Sequence, residues 1–167
     1  WAKLYKKDLF QKLRYPEGKI HEDEFITYKL FAQANRVAYL DAKLYFYLIR
    51  KQSIMNSGFS KKSLVRLEAY SERINYFENI GEFQLAAMTA KRFIDKCAEY
   101  YICIKDNDRN NIRIQAIALY DKYSKYFCYE SLRENIIVKS FVKCRVIFWL
   151  HHYLVKLGIV LKKFLYK

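Results

Sequence analysis

Residues 18–25 read GKIHEDEF, and they gather more chemistry than any other short stretch of the chain. His21 precedes three adjacent carboxylates, Glu22, Asp23 and Glu24. A carboxylate held on a rigid element can take a proton from a weakly acidic hydroxyl. Aspartate is short, so its position is well defined. A histidine beside it can share that proton, touch a substrate or simply turn the chain. The same residues also have an architectural reading. Acidic side chains in the first turn of a helix are favoured by the macrodipole, by ~0.3–1 kcal/mol each. That accounts for one or two carboxylates, whereas three in a row also repel one another. Both readings stand at this point.

Other candidate chemistry is thinner. Cys97, Cys103, Cys128 and Cys144 show no CxxC spacing and sit among apolar or aromatic neighbours. That argues against a metal site and for buried free thiols in a reducing compartment. Asp106-Asn107-Asp108 lies between two expected helices and reads as a solvated loop.

Positioning these groups falls mainly to helices. The chain has 167 residues, enough for an ordinary core, and 53% apolar and 18% aromatic residues exclude disorder. Four glycines and one proline are too few for a turn-rich sandwich. Leu4, Tyr5, Leu9 and Leu13 fit a short amphipathic helix, broken by Pro16 and Gly18. A second helix is expected at about 22–34. RVAYL (36–40) and KLYFYLIR (43–50) are β-branched and aromatic, which predicts two short strands or one bent strand. Ser60 is a good N-cap for a helix carrying Leu64, Leu67, Tyr70, Ile74 and Phe77, and Gly81 is placed to end it. Further helices are expected at about 83–105, 110–127 and 131–165.

The formal net charge of +14 predicts an anionic partner: nucleic acid, anionic lipid or a phosphorylated substrate. No acidic residue occurs from Asn135 to Lys167, where seven residues are Lys or Arg. At about 100° per residue, Arg145, His152, Lys156, Lys163 and Lys167 share one face. The apolar run VIFWLHHYLV is too short to span a bilayer. An interfacial helix and a core helix with a solvated basic edge both fit. Tyrosine and lysine interleave in LYDKYSKYFCY, a pattern that can hold single-stranded nucleic acid, but a packed amphipathic helix is the reading we favour.

Three blocks in order carry a family resemblance: WAKLYKKDLF, then PEGKIHEDEF followed by ITYKL, then RVAYLD with LYFYLIRKQSI. Together they resemble the C-terminal half of the catalytic domain of bacterial family 2 glycosyltransferases. These enzymes build capsular, exopolysaccharide and lipopolysaccharide glycans. The resemblance covers roughly residues 1–57. It implies a partial GT-A domain over 1–57, a helical extension over 58–135 and a basic amphipathic helix over 136–167. The fold class expected is therefore mainly α with a short β-hairpin or two strands (α+β), followed by a helical bundle.

By motif match, the resemblance makes Asp23 the catalytic base of an inverting sugar transfer and Glu22 the residue that orients the acceptor. His21 is a further substrate contact, Trp1 and Lys3 line the acceptor side, and Arg50 and Ser53 form a loop that closes near the diphosphate. The implied partners are a nucleotide-sugar donor and a glycan or lipid-linked acceptor, with no nucleic acid. Peripheral membrane contact is expected through 136–167, at the cytoplasmic face of the cell membrane. A divalent metal (Mg or Mn) is expected in the full-length enzyme, held by an upstream Asp-x-Asp motif and not by these residues. The chain starts at Trp1 rather than Met, which we read as the edge of a longer protein. Without the nucleotide-binding half, this stretch is expected to lack transfer activity.

Overall fold

The structure is a computed structural model that describes residues 3–48, 59–129 and 132–165. Among the described residues six α-helices run in chain order: α1 Asp23–Gln33, α2 Val65–Asn79, α3 Phe83–Cys103, α4 Asp108–Tyr123, α5 Leu132–Lys143 and α6 Arg145–Leu165. Short 3-10 turns sit at Lys7–Phe10, Lys61–Leu64 and Ser124–Tyr126. The chain divides into two compact units, Trp1–Arg73 and Ile74–Lys167, with the boundary inside α2.

In the first unit the chain reaches α1 through a left-handed His21 at φ 60°. The helix then starts at once: Glu24 N–H donates to His21 O at 3.0 Å and Phe25 N–H to Glu22 O at 3.2 Å. Phe25, Ile26 and Leu30 are buried with Ala69 of α2, and Tyr5, Leu9, Phe10, Leu13 and Val65 pack around them. The N-terminal segment forms a 3-10 turn at Lys7–Phe10 where a short amphipathic helix was expected, and its apolar side chains still serve this core.

The signals around α2 read true. Ser60 and Ser63 form a capping box ahead of the helix. At the far end Gly81 takes φ 79°. There Glu82 N–H donates to Phe77 O (2.8 Å) and Gly81 N–H to Glu78 O (3.0 Å), a Schellman closure.

The second unit is built from α3 to α6. Its core takes Phe93, Ile94, Cys97 and Tyr101 from α3, Ala116, Tyr120 and Tyr123 from α4, Val138 and Phe141 from α5, and Phe148 from α6. Arg113 on α4 satisfies the last carbonyls of α5, donating from Nε to Phe141 O (3.1 Å) and from Nη2 to Val142 O (2.9 Å). Arg109 donates from Nε to Tyr101 O (2.9 Å), and its guanidinium lies over the rings of Tyr101 and Trp149.

Three expectations are corrected here. The α+β class does not hold: among the described residues there is no strand, so a sheet-bearing GT-A portion is not what they form. Residues 36–48 have the side chains of strands yet form none, and side-chain preference alone does not make a strand. The single helix expected over 131–165 is two helices with a break at Cys144. The rings of Phe141 and Phe148 meet across that corner, tilted, with centroids 5.0 Å apart. The cysteines also differ from expectation: Cys97 is buried, Cys144 is half-buried, and Cys103 and Cys128 are exposed. Burial pushes the Cys97 thiol well above the usual range, so it is inert.

Candidate functional site

The acidic run at the start of α1 divides into three roles. Glu22 is exposed and sits at the N-cap without capping through its side chain. Glu24 is held by Arg73 of α2. Its Oε2 accepts from Arg73 Nη2 at 2.5 Å, and the same nitrogen donates to the Glu24 carbonyl at 2.7 Å. The Arg73 guanidinium lies 5.0 Å from the Tyr28 ring centroid and 5.6 Å from that of Tyr70. Nearby, Glu72 takes an ion pair from Lys29 and a 3.4 Å hydrogen bond from the Tyr28 hydroxyl. These contacts fix the start of α1 against α2.

Asp23 is the remaining carboxylate, and it lines a hollow of about 270 Å³. The other walls are Lys3, Glu24, Thr27, Tyr28, Phe31 and Arg73. Asp23 and Glu24, Thr27 and Tyr28, then Phe31 recur every three to four residues, so one face of α1 supplies most of the lining. Among the described residues Asp23 makes no ion pair, in contrast to Glu24. The hollow thus offers an exposed carboxylate, a lysine, a hydroxyl and a Phe31 ring that is 42% exposed. That set suits a polyhydroxylated ligand: the carboxylate takes hydroxyl protons, and an aromatic face covers the apolar side of a ring.

His21 faces elsewhere. Its Nδ1 lies 2.9 Å from Arg66 Nη2. A guanidinium only donates, so Nδ1 accepts and we assign the ring proton to Nε2. Burial and then the Arg66 charge lower the His21 pKa, against an opposite pull from Asp23, Glu24 and Glu22. His21 is therefore a neutral imidazole at neutral pH. Burial, with Tyr5, Asp23 and Glu22 adding to it, raises the Tyr15 pKa and keeps that phenol protonated.

Of the residues expected from sequence, Lys3 and Asp23 meet at the hollow, while His21 and Glu22 are not part of its lining. Trp1, Arg50 and Ser53 lie outside the described residues. Sequence reasoning missed Thr27, Tyr28 and Phe31, although their spacing from Asp23 was legible. It also missed Arg66 and Arg73, which no local pattern ties to α1. Among the described residues, no group of three or more His, Cys, Asp or Glu could hold a metal ion. Asp106 Oδ1 accepts from the Asp108 N–H at 3.2 Å, so that Asp-x-Asp serves the start of α4.

The chain is similar to a glycosyltransferase. Over 81 residues it is 40% identical to the glycosyltransferase GlyA of Streptococcus pneumoniae serotype 4. The match covers 48% of this chain, and the chain spans only 12% of that relative's length. This likeness supports a glycosyltransferase-like role. No family model and no solved structure matches the chain.

Proposed function

We propose that this chain is the acceptor-side part of an inverting, family 2 type glycosyltransferase that serves surface-polysaccharide synthesis, with Asp23 as general base. One observation carries the reading: among the described residues Asp23 lines the hollow without an ion pair, while the adjacent Glu24 is locked to Arg73. The likeness to a named glycosyltransferase supports it. An acceptor hydroxyl is a very weak acid, and a positioned base that takes its proton during attack contributes about 10²–10⁴-fold. The acceptor oxygen bonds to the anomeric carbon as the bond from that carbon to the donor's diphosphate breaks on the opposite face. The proton goes to Asp23 and the electron pair leaves with the diphosphate.

Lys3 contacts the acceptor, and Phe31 supports its ring. Glu22 and His21 flank the base, and Trp1, Arg50 and Ser53 keep the roles that the resemblance implies. The donor is a nucleotide-sugar and the acceptor a glycan or lipid-linked sugar. The described residues offer no ligand set for the expected divalent ion, and no step here depends on one. The test is Asp23→Asn in the full-length protein. Transfer should fall at least about 10²-fold while nucleotide-sugar binding is kept. Retained turnover would refute the assignment.

A second contact rests on α6. No helix among the described residues is long and apolar enough to cross a membrane. Yet Val146, Ile147, Leu150, Tyr153 and Leu154 are all exposed on the outer side of α6, flanked by Arg145 and Lys156. An apolar stripe bordered by cations suits the interface of an anionic bilayer. We place peripheral membrane contact at 136–167, on the cytoplasmic face, where lipid-linked acceptors reside. A non-catalytic basic helical module that binds an anionic membrane or nucleic acid is the alternative, and the Asp23→Asn result separates it from the transferase reading.

A further inference from the structure

The second unit holds a cavity of its own, about 370 Å³, to which three helices each give one face. Ala98 and Ile102 come from α3, Ile137 from α5, and Phe148 and Val155 from α6. On α3 and α6 the lining follows one spacing, i, i+3, i+4 and i+7, so a single face of each helix is used. The two helices meet where the Tyr101 ring lies 6.0 Å from that of Phe148 and 6.0 Å from that of Trp149. Beyond that contact they stand apart, with the cavity between them. Its size falls within the range of small-molecule sites.

Two features define what fits. The first is that charge cancels. Every carboxylate of the lining is held by a lysine: Lys91 pairs with both Asp95 (3.3 Å) and Glu134, and Lys96 pairs with Glu99. Burial, then Lys156 and His151, lower the His152 pKa, so that ring is neutral at neutral pH. Within the lining an ion of either sign therefore finds no uncommitted counter-charge. The second feature is that the walls are mostly carbon, from Ala98, Ile102, Ile137, Phe148 and Val155. The histidines add little polarity, because His151 Nε2 and His152 Nε2 are closed off from solvent and make no hydrogen bond among the described residues. Water held in such a place lacks the two to four polar partners that would fix it. A void of about 150 Å³ lined by apolar side chains holds a benzene; about 370 Å³ therefore holds roughly a dozen carbons.

We propose that this cavity is a binding site for an uncharged, mainly hydrocarbon small molecule of roughly a dozen carbons. Its body lies against Ala98, Ile102, Ile137, Phe148 and Val155, and removal of apolar surface from water drives the binding. A charged group of either sign loses hydration there, and nothing in the lining replaces it. This site is separate from the hollow at Asp23 and does not rest on the sugar-transfer reading.

Decanol, decyltrimethylammonium and decyl sulfate are titrated separately into the chain by calorimetry at neutral pH, each below its micelle concentration. High salt screens the +14 surface, so the sulfate reports on the cavity and not on exposed lysines. The alcohol should bind saturably, one per chain, with a negative heat-capacity change. Both charged probes should bind several-fold more weakly. Ala98→Leu and Val155→Phe, which fill the cavity, should each weaken the alcohol at least tenfold while helical circular dichroism is kept. The unsubstituted chain gives an answer independent of those variants: NMR contacts should run from the decyl chain to the methyls of Ile102, Ile137 and Val155. Contacts only to Leu150 and Leu154, on the outer side of α6, would overturn the site. A charged probe as tight as the alcohol would overturn it too, as would no binding by any probe. A dimer in sedimentation that buries these methyls and excludes the alcohol would replace the small molecule by a second copy of the chain, and the proposal would fall.

Discussion

Glu24 and Asp23 differ by one position on a helix and by everything in their surroundings. Arg73 reaches Glu24 with both its charge and a backbone hydrogen bond, and its plane sits against Tyr28 and Tyr70. The side chains of Arg73 and Glu24 are only 12% and 25% exposed, so solvent screens the pair weakly. Truncation to Arg73→Ala should cost about 2–3 kcal/mol, read from chemical denaturation, because it also strands the Glu24 carboxylate. Arg73→Lys should cost less than alanine but more than nothing, since a point charge cannot stack or bond twice. Equal stability of Ala and wild type would show the pair to be ornamental. His21 makes a different prediction. Its folded pKa is below the ordinary 6.5, so the unfolded chain binds the extra proton as pH drops. The His21 contribution is whole above about 6.5 and is lost as pH falls through the folded value. Between pH 8 and 5.5, wild type should therefore lose melting temperature faster than His21→Asn. Asparagine suits the comparison because it tolerates the left-handed backbone that His21 adopts at φ 60°. Parallel slopes for the two proteins would sink the argument.

At the scale of elements, the helices were legible where the chain supplies its own punctuation. Ser60 and Gly81 bracket α2, and apolar spacing placed α3 and α4 to within a few residues. Cys144 gives no such signal. Neither proline nor glycine marks the corner, which is set by Phe141 meeting Phe148 and by Arg113 reaching across from α4. That information is tertiary and cannot be read from periodicity. Residues 36–48 fail in the opposite sense, with a strong local preference and no strand formed. Their apolar side chains stand in solvent, Tyr39 and Phe46 each 88% exposed. Contiguous exposed apolar surface of this kind favours association. The isolated chain should therefore self-associate at high concentration, and Tyr39→Gln with Phe46→Gln should reduce this in sedimentation while helical circular dichroism is unchanged. Unaltered association would place the sticky surface elsewhere. The candidate site shows the same division: Asp23 and Lys3 were readable from their own blocks, whereas Arg73 lies on another helix, 49 residues from Glu24.

Over the whole molecule the decisive quantity is where charge sits, more than how much there is. All 17 acidic residues precede Asn135, so the last fifth of the chain is purely basic. Had these cations simply lined a solvated edge, the helix face between them would be polar. Instead the outer side of α6 presents Val146, Leu150, Tyr153 and Leu154, and His152 has turned inward to the cavity. Two forces then act together at an anionic bilayer. Each lysine or arginine near the surface contributes about 1 kcal/mol at physiological ionic strength, and salt screens that part. Burial of the leucines adds a part that salt does not screen. Vesicles containing anionic lipid should bind the chain more tightly than neutral vesicles, and a residue of binding should survive high salt. Leu150→Gln with Leu154→Gln should remove that residue and leave the low-salt attraction nearly intact. Arg145→Gln with Lys156→Gln should do the reverse. Binding that vanishes entirely with salt in the unsubstituted chain would reduce α6 to an electrostatic patch, and an equal grip on oligonucleotides would move the partner from lipid to nucleic acid.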